Sequence, residues 1–201
     1  MAYTRVEIPS AELARQRDIC FDIRSGNERA GRAPLAYVDT YGCQQNEADS
    51  EELRGYIELM GFGFTADENE ADLIVINTCA VRAHAEMRIL GNVGALVHAK
   101  ARNPRLLVAV CGCMVQQPHM AEKLKQSFRV VDLVFGPHEL WRFPELYKRA
   151  RDTKKRVFAV EDSDGVVAEG LPVRRSGSVK AWLSIMYGCN NFCTYCIVPY
   201  V

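Results

Sequence analysis

Short continuous apolar runs alternate along the chain with stretches of helical periodicity. Leu35–Thr40, Leu73–Thr78, Leu106–Val110 and Asp132–Phe135 read as four strands. The middle two are apolar almost throughout, as in strands covered on both faces. After the first, Asn46 or Ser50 is placed to cap a helix with Leu53, Ile57 and Met60 on one face and a stop at Gly61. After the second, a longer helix is predicted with Ala83, Met87, Leu90, Gly94 and Val97 facing the sheet. A short helix follows Pro118, and Pro137–Arg151 reads as helical with a break at Pro144. Alternating strands and helices imply a parallel sheet with right-handed crossovers, a Rossmann-like or flavodoxin-like α/β domain over residues 34–150.

The flanks lack this pattern. Residues 1–33 are polar and arginine-rich, and are expected to form a loosely attached extension with a short helix after Ser10 and an incidental thiol at Cys20. Residues 151–178 read as a linker. Val179–Ile185 alternates apolar and polar positions, as the first strand of a second domain over 179–201 would.

Composition narrows the class. Of 201 residues nearly half are apolar, enough for a real core, and 25 Lys+Arg balance 25 Asp+Glu, so net charge points to neither nucleic acid nor membrane. MAYTRVEIPSAELARQRD has no apolar core of a secretory signal, and the longest apolar runs are far too short to span a bilayer. A soluble cytoplasmic protein is expected, and its eight cysteines then point to metal binding or catalysis rather than disulfides.

Three of those cysteines follow strands: Cys43 the first, Cys79 the second and Cys113 the third, at gaps of 36 and 34 positions. Loops after parallel strands open on one edge of the sheet, where ligands bind. The three thiols are therefore expected to converge. Gly42 and Gly112 precede two of them, allowing close backbone approach and loop N–H groups aimed at sulfur. Asn77 and Thr78, before the third, offer side-chain donors. The rival readings are ordinary buried thiols and a zinc site completed by Cys111. Cys111 lies at the end of the strand and is read as a neighbour of the site rather than a ligand.

The sharpest signal is Cys189-x₃-Cys193-x₂-Cys196, behind Tyr187-Gly188 and with Tyr195 before the last cysteine. Three thiolates this close can hold three corners of a [4Fe–4S] cube and leave one iron open. With its aromatic, this loop resembles the radical-SAM superfamily. That resemblance implies Cys189, Cys193 and Cys196 as cluster ligands, S-adenosylmethionine on the open iron, and Tyr195 beside that cofactor.

Further motifs extend the likeness. Thr40-Tyr41-Gly42-Cys43-Gln44-Gln45-Asn46-Glu47-Ala48-Asp49-Ser50, Asn77-Thr78-Cys79-Ala80-Val81-Arg82 and Gly112-Cys113-Met114, taken with the loop, resemble the radical-SAM methylthiotransferase family over residues 35–201. The resemblance implies an auxiliary [4Fe–4S] cluster on Cys43, Cys79 and Cys113. It also implies two S-adenosylmethionine molecules per product, one as methyl donor and one as radical source. The loop and its Pro199-Tyr200-Val201 end look most like the branch that methylthiolates isopentenyl-adenosine beside the tRNA anticodon. The other branches act on a ribosomal-protein aspartate or on threonylcarbamoyl-adenosine, and an iron–sulfur electron-transfer or scaffold protein is the rival from another class. The expected partners are tRNA, a sulfur donor and an electron donor, with no membrane and a monomeric chain. Against complete members the chain is expected to be an N-terminal piece carrying only the start of the barrel, inactive by itself.

Two charge clusters are read conservatively. Lys148–Arg156 holds six basic residues in nine positions and reads as a solvated linker rather than a phosphate contact. Glu47, Asp49, Glu51 and Glu52 crowd a helix start, where the helix dipole alone accounts for them. His84, His98, His119 and His138 share no ligand spacing.

Overall fold

The computed structural model describes residues 6–81, 83–160, 166–175, 177 and 179–201. In chain order it contains β1 (Val6–Glu7), α1 (Ser10–Arg29), β2 (Leu35–Tyr41), α2 (Gln44–Leu59), β3 (Gly63–Phe64) and β4 (Leu73–Thr78). Then come α3 (Ala83–Arg102), β5 (Leu107–Gly112), α4 (Cys113–Gln116), α5 (Pro118–Ser127) and β6 (Leu133–Phe135). A 3₁₀ turn, Pro137–Arg142, leads to α6 (Phe143–Thr153), β7 (Val157–Ala159) and β8 (Val166–Val167). Six strands form one parallel sheet in the order β3-β2-β4-β5-β6-β7, and β1 pairs separately with β8.

Alternation along the strands builds two cores. Leu73 and Val75 of β4, with Leu107, Ala109 and Cys111 of β5, pack against Leu53, Tyr56 and Ile57 of α2 and Phe143 and Leu146 of α6. Ile74, Ile76, Val108 and Val110 point the other way, against Ile89, Val93 and Leu96 of α3 and Leu124 of α5. Every residue of β4 and β5 is buried, which is why these strands read as unbroken apolar runs.

The order also fixes where a ligand belongs. From β2 the chain crosses by α2 to β3 on one side, then returns past β2 to β4 on the other. The crevice between β2 and β4 is the switch point of a doubly wound sheet. Register places Tyr41 beside Thr78, and Thr78 beside Gly112, so three strands end in one row.

Several expectations change. The N-terminal stretch is not loose: α1 has 20 residues and buries Gln16, Cys20 and Ile23. These fall at i, i+4 and i+7, one stripe of a helix, and burial pushes the Cys20 thiol up to about 12. α3 turns Leu90 of the expected face to the core beside Ile89, Val93 and Leu96, whereas Val97 is exposed; the side chains of Ala83 and Met87 lie outside the described residues. Bulky side chains win that face over Gly94. Pro144 sits in the first turn of α6 rather than breaking a helix, since its missing N–H is not needed there.

The supposed linker contributes β7, a sixth sheet strand beside β6. Its basic run is likewise structural. The Arg156 guanidinium donates to the carbonyls of Leu124, Lys125, Phe128 and Val131 at 2.7–3.0 Å, closing the end of α5, and Lys148 pairs with Asp22. Val179–Ile185 forms no strand. Among the described residues no other strand pairs with it, and backbone groups without a ladder partner stay with solvent. Its apolar positions are open, Val179 at 98% and Ile185 at 90% exposure.

Candidate metal centre

Cys43, Cys79 and Cys113 meet at the switch point. Cys43 is the residue on which α2 starts, Cys79 follows β4 directly, and Cys113 opens α4 directly after β5. The Cys79 sulfur accepts the Val81 N–H at 3.4 Å, the Cys43 thiol donates to Asn46 Oδ1 at 3.4 Å, and the Cys113 thiol donates to the Thr78 carbonyl at 3.7 Å. The neighbouring Cys113 thiol is the largest influence on Cys79; with the Val81 N–H and Cys43 it outweighs burial and brings the Cys79 thiol down to about 6. Cys113 is its counterpart: the Cys79 sulfur beside it and burial both hold its proton on. Its sulfur also accepts the Ala80 N–H at 3.2 Å. One thiolate with a protonated neighbour is what three crowded sulfurs adopt without a cation.

The scaffold below the sulfurs is polar and closed. Asn77 and Thr78 donate nothing to Cys79. Asn77 donates to the Asn46 carbonyl at 2.9 Å and to Ser50 Oγ at 3.0 Å, and Thr78 Oγ1 donates to the Cys111 carbonyl at 2.5 Å. The sulfurs instead receive backbone N–H groups from the 80–81 loop. Gly112 makes the row possible. Its φ is +93°, and a Cβ there would overlap the Thr78 carbonyl and the Asn77 side chain. Cys111 is fully buried in the α2-side core, where burial raises its thiol well above the ordinary range.

The second set is arranged differently. Cys189 and Cys193 are exposed and Cys196 is half-buried. The Cys196 N–H donates to the Cys193 carbonyl at 2.9 Å, and the Phe192 ring meets Tyr200 edge-on at 5.9 Å. Tyr195 is 96% exposed. Among the described residues no group of three or more His, Cys, Asp or Glu side chains is spaced as cation ligands. The first set comes from three strand ends brought together by the sheet; the second shows neighbours in sequence on an open loop.

The acidic cluster on α2 has more to do than answer a dipole. Glu51 is held by Arg175 at 2.6 Å, with only 4% of its side chain exposed. Burial raises Asp49 to about 6, opposed by a 2.8 Å hydrogen bond from Gln45, and raises Glu52 to about 7, with the Asp49 charge adding to it. The chain segment packed over these residues had no signature in the sequence.

A doubly wound parallel sheet with cysteines gathered at its switch point defines the class. The chain belongs to the family described as uncharacterized protein family UPF0004, whose model matches residues 35–136. It is similar to proteins named tRNA-2-methylthio-N(6)-dimethylallyladenosine synthase. The one from Acetivibrio thermocellus is 46% identical over 98% of this chain and 42% of its own length. The Alkaliphilus oremlandii protein is 46% identical over 98% and 41%, and the Clostridium tetani protein 50% identical over 82% and 36%. The chain thus spans about two fifths of the length of these curated relatives. No helix among the described residues is long and apolar enough to cross a membrane.

Proposed function

We propose that this chain carries the cluster-bearing front of a methylthiotransferase acting on isopentenyl-adenosine beside the tRNA anticodon. The observation that carries the reading is the meeting of Cys43, Cys79 and Cys113 at the switch point, each from a different strand end. The name of its relatives supports the substrate.

The residues present fit an iron–sulfur group. Three thiols at adjacent strand ends, with Cys79 lowered to about 6 by its neighbours, are the donor set of three corners of a four-iron cube. The N–H groups of Ala80 and Val81 already point at sulfur, as they would at cluster sulfides. Cys43, Cys79 and Cys113 are assigned to this auxiliary cluster. Cys189, Cys193 and Cys196 are assigned to a second, with Tyr195 beside bound S-adenosylmethionine. When bound, the clusters and S-adenosylmethionine supply the electron, the radical and the methyl group that an inert C–H bond requires. The protein's own share is placement. The row of strand ends fixes the first three thiols, and the Ala80 and Val81 amides donate to the sulfurs of Cys113 and Cys79. tRNA is the assigned partner, which places the protein in the cytoplasm.

The test is metal content followed by product. The chain continued to its relatives' length and reconstituted without oxygen is expected to hold two clusters, about eight irons. Cys43, Cys79 and Cys113 all changed to Ala should leave about four. Zinc in place of iron, or eight irons retained, overturns the assignment. In a strain lacking its own tRNA methylthiotransferase, that gene should restore methylthio-isopentenyl-adenosine, and Cys189→Ala should abolish it. A methylthio mass on a ribosomal protein alone would keep the chemistry and remove the tRNA assignment.

A further inference from the structure

Pro172, Arg174, Arg175 and Ser184 meet α2 at Gly55, Glu51 and Gln45 in turn, so this part of the chain runs opposite to the helix. At one end Gly55 faces Pro172, and a Cβ at position 55 would overlap the Pro172 carbonyl. One turn closer to the helix start, the Arg174 N–H donates to the Glu51 carbonyl at 2.9 Å, and Arg175 pairs with the Glu51 carboxylate. The Arg174 guanidinium lies over the Phe64 ring at 4.6 Å. Arg175 also donates to the Trp182 carbonyl at 2.8 Å, which keeps the later part of the stretch against the same helix. At the helix start, Gln45 Nε2 donates to Ser184 Oγ at 3.1 Å and Ser184 Oγ donates to Gln45 Oε1 at 3.3 Å. Asp49 holds the same Gln45 amide from below at 2.8 Å.

Gln45 stands two positions from Cys43, and Ser184 five positions from Cys189. Five extended residues reach about 17 Å at most. The exchange at Gln45 therefore bounds how far the open 189–196 loop can stray from the first three sulfurs. Farther along the helix, the Gly55 and Glu51 contacts align the strand of chain that arrives there.

We infer that α2 is a rail setting the separation of the two cysteine sets, with Gln45 as the positioning residue that clamps Ser184. Its purpose rests on the two-cluster reading above; its geometry does not. Gln45 touches no reacting atom. It acts by limiting the slack between two centres that must exchange a group, where small misplacements are costly.

The test uses the metal-free 201-residue chain and a bis-maleimide of fixed span, with linked peptides identified by mass spectrometry. Cys43, Cys189 and Cys193 are exposed and reachable, whereas Cys20 and Cys111 are buried. The unaltered chain should give links from Cys43 to the 189–196 loop. Gln45→Ala and Ser184→Ala should each cut their yield about fivefold, the worth of one or two neutral hydrogen bonds. The double variant should go no lower than either single one. Ser184→Thr keeps the hydroxyl and should keep the yield. Gly55→Ala favours the helix yet collides with Pro172, so it should lower the yield without unfolding the sheet. Links between Cys43 and Cys113 should not change in any variant. Absence of the long link in the unaltered chain, or an unchanged yield in both Gln45→Ala and Gly55→Ala, overturns the rail. Metal plays no part in this readout, so failure of the cluster reading would leave it standing.

Discussion

Asn46 and Asn77 exchange hydrogen bonds across the head of the sheet: Asn46 Nδ2 donates to Asn77 Oδ1 at 3.0 Å, and Asn77 Nδ2 donates to the Asn46 carbonyl at 2.9 Å. Both side chains are buried, and Asn46 also reaches the Thr78 carbonyl at 3.0 Å and, through Oδ1, the Cys43 N–H at 3.2 Å. The start of α2 is thereby tied to the end of β4, and Cys43 to Cys79. Asn77→Ala removes three buried hydrogen bonds, to Asn46 Nδ2, the Asn46 carbonyl and Ser50 Oγ, leaving Asn46 tied to β4 only through the Thr78 carbonyl and Ser50 to Thr40. It should cost about 1–3 kcal/mol in urea unfolding, the worth of a few neutral hydrogen bonds. It should also lower retention of iron by the first cysteine set.

Gly112→Ala tests the row of strand ends directly. The substitution forces a Cβ onto a φ of +93° and into the Thr78 carbonyl. The backbone strain alone is worth about 1–3 kcal/mol. The expected result is a lower thermal midpoint together with a higher Cys79 pKa, read from the pH dependence of its alkylation, because Cys113, the largest influence that lowers it, is displaced. A variant with an unchanged midpoint would show that the strand ends tolerate separation.

Much of this architecture is legible in the residues. Leu73–Thr78 is recoverable because a strand covered on both faces needs an unbroken apolar run. Cys43, Cys79 and Cys113 are recoverable because each directly follows such a run or its first loop. The start of α1 after Ser10 is legible, but its length and its packing hide, because its buried stripe, Gln16, Cys20 and Ile23, includes a polar residue and is only three residues wide. β7 hides because three residues carry no period. Val179–Ile185 misleads for the opposite reason: alternation marks a chain suited to a strand, but pairing needs a neighbour. The burial of Gln45, Asp49 and Glu52 leaves no mark in the sequence, since what covers them comes from more than a hundred positions away.

That burial has a pH signature. Asp49 and Glu52 sit at about 6 and about 7 in the fold, raised from ordinary values of 3.8 and 4.5 by desolvation. An acid with a raised folded pKa binds its proton more tightly in the native state. Its contribution is fully present below the unfolded value and is lost as pH rises through the folded one. These two residues should therefore make the chain less stable as pH goes from about 4 to about 7, by roughly 1–2 kcal/mol once solvent screening is allowed for. Asp49→Asn should flatten the profile, both by removing one acid and by relieving Glu52 of its charge. Urea unfolding at four pH values across that window decides it. A profile for the variant parallel to the parent's would mean that the segment over α2 does not desolvate Asp49.

The last expectation concerns the 201-residue chain by itself, which should show no turnover. Radical chemistry on a carbon needs a site that excludes water and holds cofactor and substrate in place. Among the described residues nothing encloses the second cysteine set: Cys189 and Cys193 are exposed, and Tyr195 is 96% exposed. Leu183, Ile185 and Met186, the apolar residues just before the loop, are also open to solvent. The first set is better founded, because the two cores that hold its strands are complete within the described sheet. The reconstituted chain should thus retain iron on Cys43, Cys79 and Cys113 while failing to bind S-adenosylmethionine in equilibrium dialysis. Given a strong reductant, S-adenosylmethionine and tRNA bearing isopentenyl-adenosine, it should leave the nucleoside unmodified in digested tRNA. A methylthiolated nucleoside formed by this chain would mean that the open loop closes on its cofactor in a way that its exposure does not suggest.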